Sequence, residues 1–368
     1  MNREFVLGTI GSLMGWDDER ARREFAWLRL MSRMKYDDYQ EFLAGMRFVE
    51  SLADWLQQFN QDERERAYEF IRSKLVYISE AEMRHLAELL YPETIEPLLL
   101  ASTAQSAGIQ RYQIWGDPKA SAAFDTLLRK TVFIELSDGA RVDVFRRANE
   151  GRISHEQVVT SPRIIKSKWD EMLKDLQNEL GDPNARFSFV VLIDDFSGSG
   201  KSVLRREGDK WKGKLEKFWT DMTVENVFKT HFESELTLIV HHYVATSQAV
   251  SAVAFNNSER SIATDGGWFE RVEFTWGTVL PQDLKLTQSS LPDFAPLVQK
   301  YYDGAIESRH TKVGGGDDIR WGFGNCGLPL VLEHNTPNNS IALLWAESDG
   351  DAEAQAMRPL FRRRQRHV

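Results

Sequence analysis

Nine consecutive residues, Asp194-Asp195-Phe196-Ser197-Gly198-Ser199-Gly200-Lys201-Ser202, gather small, hydroxylic and charged side chains in an order that suits one kind of chemistry. Gly198 and Gly200 let the backbone fold tightly, so that several N–H groups can point at one phosphate. Hydroxyls on Ser197, Ser199 and Ser202 supply further donors, and Lys201 either adds a charge-assisted contact or points to solvent. A helix expected directly after Ser202 adds the partial positive charge of its first turn. Asp194 and Asp195 would repel a phosphate. They are suited instead to sugar hydroxyls or to a magnesium ion.

Two families use a loop of this kind. The P-loop NTPase pattern is G-x-x-x-x-G-K-[ST], and Gly200-Lys201-Ser202 fits its end; its first glycine falls at position 195, where this chain has Asp. The segment also resembles the phosphoribosyl-pyrophosphate (PRPP) signature of type I phosphoribosyltransferases. In that signature four apolar residues lead to two acidic ones, an apolar residue, a variable one and a Thr/Gly-rich turn. Val190 to Ile193, the pair Asp194-Asp195, Phe196, and Gly198 to Ser202 stand at those places. The resemblance implies that Asp194 and Asp195 hold ribose hydroxyls, directly or through magnesium, and stabilise positive charge developing at the anomeric carbon. It also implies that Ser197 to Ser202 wrap the 5-phosphate. Gly198 replaces the family's first hydroxyl residue and Lys201 its second glycine, and neither a pyrophosphate loop nor a base-gripping hood is recognisable.

A wider set, ELSDGARVDVFRR, VVLIDDFSGSGKS, HHYVATSQA and FGNCGLPLVLEHNTPNNSIALLW, is similar to phosphoribosyltransferase-like proteins of bacterial conflict systems. These are encoded in anti-phage loci, some beside a retron reverse transcriptase. The resemblance implies a defence effector binding a ribose-phosphate or nucleotide ligand, with protein partners at a helical domain and a reverse transcriptase–DNA complex as a nucleic-acid partner. A non-catalytic nucleotide sensor or toxin subunit is the alternative, and a P-loop-like NTPase a further one.

Other residues are weaker candidates for the same pocket. Arg146 and Arg147 can clamp a second phosphate, or lie exposed at a strand end. His155, Glu156 and Gln157 suit acid–base work, or an exposed loop. Thr246 and Ser247 end the strand after the phosphate loop, at the edge where open α/β sheets bind ligands. His241 and His242 read as structural. Glu333-His334-Asn335 lines the pocket or only precedes a turn, and Gly322 to Gly327 reads as a flap or as tight turns. Cys326 lacks the histidine or cysteine company of a nucleophile.

Elements that would position these residues follow from periodicity. The first hundred residues are helical: Trp27, Leu30, Met31 and Met34 share a face, as do Phe42, Met46, Val49 and Leu56. Ser79 with Glu82 forms a capping box for a helix expected to end near Tyr91, before Pro92. Gly116-Asp117-Pro118 marks a boundary. Beyond it, Val132–Leu136 and Val142–Phe145 read as a hairpin around Ser137-Asp138-Gly139. A helix carrying Trp169, Met172, Leu173, Leu176 and Leu180 is expected to end at Gly181. The unbroken apolar run Phe187–Ile193 is a strand buried on both faces, hence part of a parallel sheet. Leu236–Val240 follows after helical residues around Leu215 to Trp219, which makes a βαβ unit. Val272–Trp276, Pro329–Leu332 and Ile341–Trp345 are further strands.

The expected fold is therefore α/β: a mainly parallel phosphoribosyltransferase-like sheet with helices on both faces, preceded by an α-helical N-terminal domain. Residues 1–116 form the helical domain, 117–347 the α/β domain, and 348–368 a basic tail with Arg358, Arg362, Arg363, Arg364 and Arg366. A 368-residue chain suits two domains, and its 42% apolar content with 11 Trp indicates packed cores. The net charge of −9 does not suggest a general polyanion binder. One cysteine excludes an internal disulfide and a Cys-rich zinc site. No apolar run reaches a membrane-spanning length and the N-terminus lacks a signal-peptide core, so a soluble, cytoplasmic protein without membrane contact is expected.

Overall fold

The computed structural model describes residues 3–161, 164–263, 268–308, 311–316, 318–350 and 355–364. It divides into two compact units, Met1–Glu82 with Pro281–Val368, and Met83–Leu280. The second unit carries a five-stranded sheet: β1 (Thr131–Glu135), β2 (Val158–Val159), β3 (Phe187–Ser197), β4 (Phe232–Thr246) and β5 (Arg271–Leu280). Their spatial order is β2-β1-β3-β4-β5, and every neighbouring pair is parallel. The chain thus reverses its direction of growth between β1 and β3.

Parallel pairing forces each strand to be followed by a crossover, and the crossovers supply the helices. On one face Val132, Ile134, Val190, Leu192, Leu238 and Val240 pack with Trp169, Met172 and Leu176 of the helix Lys166–Leu180. Leu215, Phe218 and Met222 of the helix Lys214–Val224 join the same cluster. On the other face Phe133 meets Phe145 of the helix Val142–Ala148, ring centroids 4.9 Å apart. The α/β reading with helices on both faces is thus correct, as are the helix ending at Gly181 (φ 62°) and the βαβ unit around the glycine-containing loop 197–202.

The first unit holds the helices Arg3–Met14, Asp18–Met34, Phe48–Gln57 and Arg64–Lys74, packed with residues from the C-terminal part of the chain. Residues Val76–Ile78 pair in parallel with Leu330–Leu332, and Trp55 donates to the carbonyl of Leu343 at 2.7 Å. The units therefore do not coincide with boundaries at 116 and 347.

Several local expectations are corrected. Val142–Phe145 is helical, because β1 and β2 are parallel (Phe133 opposite Val158) and the chain must cross back between them. Residues Ala342–Trp345 are a helical turn, not a strand. The helix before Pro92 does not stop there. It widens into a π-helical turn, Leu90–Ile95, that accommodates the proline, and continues as Glu96–Ala107 with Pro97 in its first turn. The C-terminal segment is no solvated tail as far as Arg364: Met357, Leu360 and Phe361 are buried, and Phe361 stacks on Phe48 at 5.7 Å. Arg366 lies outside the described residues. The capping box is present, with Ser79 N–H donating to Glu82 Oε2 at 2.8 Å.

Candidate functional site

β3 passes through the middle of the sheet and ends in the acidic pair, with the chain reversal beside it at β1. Open α/β sheets bind ligands where the strand order reverses, outside the carboxyl ends of the strands. Here that place is lined by the loop after β1, Leu136–Arg141, and the turn after β3, Gly198–Leu204.

Adjacent strand residues point to opposite faces, so Asp194 and Asp195 part company. Asp194 is fully buried. Its Oδ2 accepts from Lys214 Nζ at 2.5 Å, at the start of the helix Lys214–Val224, and its Oδ1 accepts from Ser137 Oγ at 2.5 Å. His242 Nε2 lies 3.6 Å from the same carboxylate. Burial pushes the Asp194 carboxyl above the ordinary range, the Lys214 ammonium opposes it, and the Asp195 charge adds to it. Asp195 is half-buried on the other face, with Ser137 Oγ 3.0 Å from its Oδ1. The Ser137 hydroxyl thus ties both carboxylates to the loop after β1.

The turn itself has a buried root and an open crest. Ser197, Gly198, Ser199 and Gly200 are buried, Lys201 is half-buried and Ser202 is exposed. Thr246 Oγ donates to the carbonyl of Gly198 at 2.5 Å and accepts from Ala249 N–H at 3.0 Å, capping the helix Ser247–Ile262. Gly200 has φ +73°, and a Cβ there would lie 2.9 Å from Val253 and 3.1 Å from the carbonyl of Ala249. Only glycine lets the turn lie on that helix. Within the turn Val203 and Leu204 N–H donate to Gly200 O. Among the described residues no acceptor is found for the N–H groups of Ser199, Gly200 and Ser202.

The helix does not follow Ser202 directly. Residues Arg205–Glu207 and Lys210–Lys212 form an antiparallel hairpin, and the helix begins at Lys214. The hairpin's ends meet: Lys214 N–H donates to Ser202 O at 2.9 Å and Leu215 N–H to Val203 O at 3.1 Å. The helix start is therefore beside the loop, but its first two donors are already taken.

Sequence comparison agrees with this geometry. A family model described as PRTase-CE, a phosphoribosyltransferase-type domain, matches residues 52–363. The chain belongs to the PRTase-CE family. No curated protein and no solved structure matches it.

The remaining sequence candidates lie elsewhere in this PRTase-CE chain. Arg146 and Arg147 occupy the last turn of their helix and line a cavity of about 1050 Å³ together with Leu128, Arg129, Gln157 and Glu179. Those companions precede β1, β2 and β3, so the cavity is at the amino edge of the sheet, opposite the turn after β3. His155 and Glu156 line it too, while Gln157 donates to the carbonyls of Leu128 and Thr131 at 2.7 and 2.8 Å, a structural task. Ser247 Oγ donates to Leu280 O at 3.1 Å. Glu333 belongs to the other unit, where it is buried beside His334 at 2.9 Å. Burial lowers the pKa of both His241 and His242 to about 3, so the two imidazoles are neutral spacers within β4, as expected. Cys326 is buried and accepts from Asn339 Nδ2 at 3.3 Å.

Sequence reasoning missed Ser137 and Lys214. Only Ser137 had a local sign, lying in the turn after β1. Among the described residues no helix is long and apolar enough to cross a membrane, and no group of three or more His, Cys, Asp or Glu is arranged to hold a metal ion.

Proposed function

We propose that this phosphoribosyltransferase-type domain binds a ribose-phosphate ligand, PRPP or a nucleotide, at the turn 194–202, and acts as an effector in bacterial anti-phage defence. The observation that carries the ligand reading is the turn at the chain reversal, where the N–H groups of Ser199, Gly200 and Ser202 have no acceptor among the described residues and the half-buried Asp195 stands beside them at the carboxyl end of β3. Asp195 accepts hydrogen bonds from ribose hydroxyls and opposes positive charge developing at the anomeric carbon. Ser202, Lys201 and the amides of Ser199, Gly200 and Ser202 hold the 5-phosphate, while Ser197, Gly198 and Thr246 brace the turn. Asp194 positions Asp195 through Ser137 and ties the turn to Lys214. Magnesium fits as an ion carried mainly by the ligand's own phosphates and water, with one protein carboxylate, Asp195. The defence role rests on the resemblance to conflict-system proteins, with a reverse transcriptase–DNA complex as the partner it implies.

Calorimetric titration with PRPP, ribose 5-phosphate and ATP, each with magnesium, tests the reading. PRPP and ribose 5-phosphate are expected to bind, and Ser202→Glu to abolish binding by repulsion. Preferential ATP binding, with γ-phosphate hydrolysis lost in Lys201→Ala, would overturn it in favour of an NTPase.

A further inference from the structure

The acidic pair and the turn leave one chemical task without an owner. Displacing pyrophosphate from the anomeric carbon by an N–H or O–H nucleophile releases a proton, and a group at the site must accept it. The turn 196–202 contains one titratable side chain, Lys201, a cation. Asp194 is buried and bound to Lys214, and Asp195 is committed to the ribose. His241 and His242 are sealed within β4.

Glu135 differs from all of these. It is the last residue of β1, at the chain reversal, opposite Ile193 in the ladder and so on the same sheet face as Asp195. It is half-buried and has no hydrogen-bond or ion-pair partner among the described residues. The same face carries Tyr243 of β4, whose hydroxyl is fully buried, has no hydrogen-bond partner among the described residues and lies in the field of Asp195, Arg141, Asp143 and Glu135. An unpaired carboxylate and an unpaired hydroxyl therefore share one sheet face with Asp195 at the chain reversal.

We propose that Glu135 is the proton acceptor for the nucleophile that attacks the ribose anomeric carbon. The inference rests on the ribose-phosphate reading above. In the step, the C1–O bond to pyrophosphate breaks with its electron pair on the departing oxygen. The nucleophile's lone pair forms the new bond to C1, and its proton passes to a Glu135 carboxylate oxygen and then to solvent. The surroundings suit this task. Burial raises the Glu135 carboxyl to about 7, with further contributions from Asp138 in the adjoining loop, Asp143 on the helix Val142–Ala148 and Asp194 on β3. A general base is most effective with a pKa near the working pH.

The test uses the full chain, PRPP with magnesium, and water as the nucleophile, and reads pyrophosphate release across pH. The wild type is expected to lose rate below about pH 7, as Glu135 protonates. Glu135→Gln is expected to bind PRPP within about twofold of wild type, to lose about 10²–10⁴-fold in turnover, and to lose that acid limb. Glu135→Asp should restore part of the rate. Wild-type rate and an unchanged acid limb in a folded, PRPP-binding Glu135→Gln overturn the assignment, as does a wild type that binds PRPP and releases no pyrophosphate. Failure of the wild type to bind PRPP overturns instead the reading on which the inference stands.

Discussion

Asp194 and Asp195 look equivalent in sequence, and the structure separates them by a measurable margin. The perturbation is a pair of single substitutions, Asp194→Asn and Asp195→Asn. Asp194 has no exposed surface and its partner Lys214 is 29% exposed. Removing one member of a wholly buried pair costs about 3–5 kcal/mol, because a charge is left stranded. Lys214 reaches water, and asparagine keeps an acceptor for Ser137, so the cost here should be about 2 kcal/mol, or about 4–8 °C in melting temperature. Asp195 is half-buried, and asparagine keeps its acceptor oxygen for Ser137, so Asp195→Asn should cost less, about 1 kcal/mol or about 2–4 °C. The order reverses for ligand. Losing one charge-assisted hydrogen bond to a ribose hydroxyl costs about 1.5–3 kcal/mol, so Asp195→Asn should weaken PRPP about 10–150-fold. Differential scanning fluorimetry and calorimetry on the same samples give both numbers. An Asp194→Asn protein that melts like wild type yet loses PRPP as completely as Asp195→Asn would refute the division of labour.

Gly200→Ala should destabilise the fold by about 1–3 kcal/mol, since it places a side chain at φ +73° and a Cβ 2.9 Å from Val253; a melting curve checks this, and an unchanged melt removes the turn from its seat on the helix Ser247–Ile262. Glu135→Gln should change stability in a pH-dependent way. The folded pKa is raised to about 7, so the native state holds a proton that the unfolded chain has already lost, and wild-type stability falls as pH rises from the ordinary carboxylate range through 7. The variant should therefore melt higher than wild type at pH 8 and equally at pH 4, and a constant difference across that range would contradict the raised pKa.

What was legible in the sequence was local. The apolar run Phe187–Ile193 gave β3 because no polar residue interrupts it, and the small residues after it gave the turn. Ser137 and Lys214 were not legible. Each is an ordinary polar residue until the sheet brings it to Asp194, across 57 and 20 positions of chain. The hairpin at 205–212 carries a local sign, since Gly208-Asp209 is a two-residue turn between short flanks. Met357, Leu360 and Phe361 stand among arginines and so look solvated. Their burial depends on Phe48 and its neighbours, some three hundred positions away, and no periodicity reports that.

That hairpin also explains why two families were in contention for one loop. Gly200-Lys201-Ser202 matches the end of a P-loop, but a P-loop needs its helix to start there, with free N–H groups facing the phosphates. In this chain the helix starts at Lys214, and its first two N–H groups bond to the carbonyls of Ser202 and Val203. Its dipole still points at the loop, while its first donors do not. An anion at this turn must accordingly be held by the loop's own amides, the Ser202 hydroxyl and Lys201. On the proposed reading Asp195 then meets the hydroxylated part of the ligand, the division that a sugar phosphate requires and a bare polyphosphate does not.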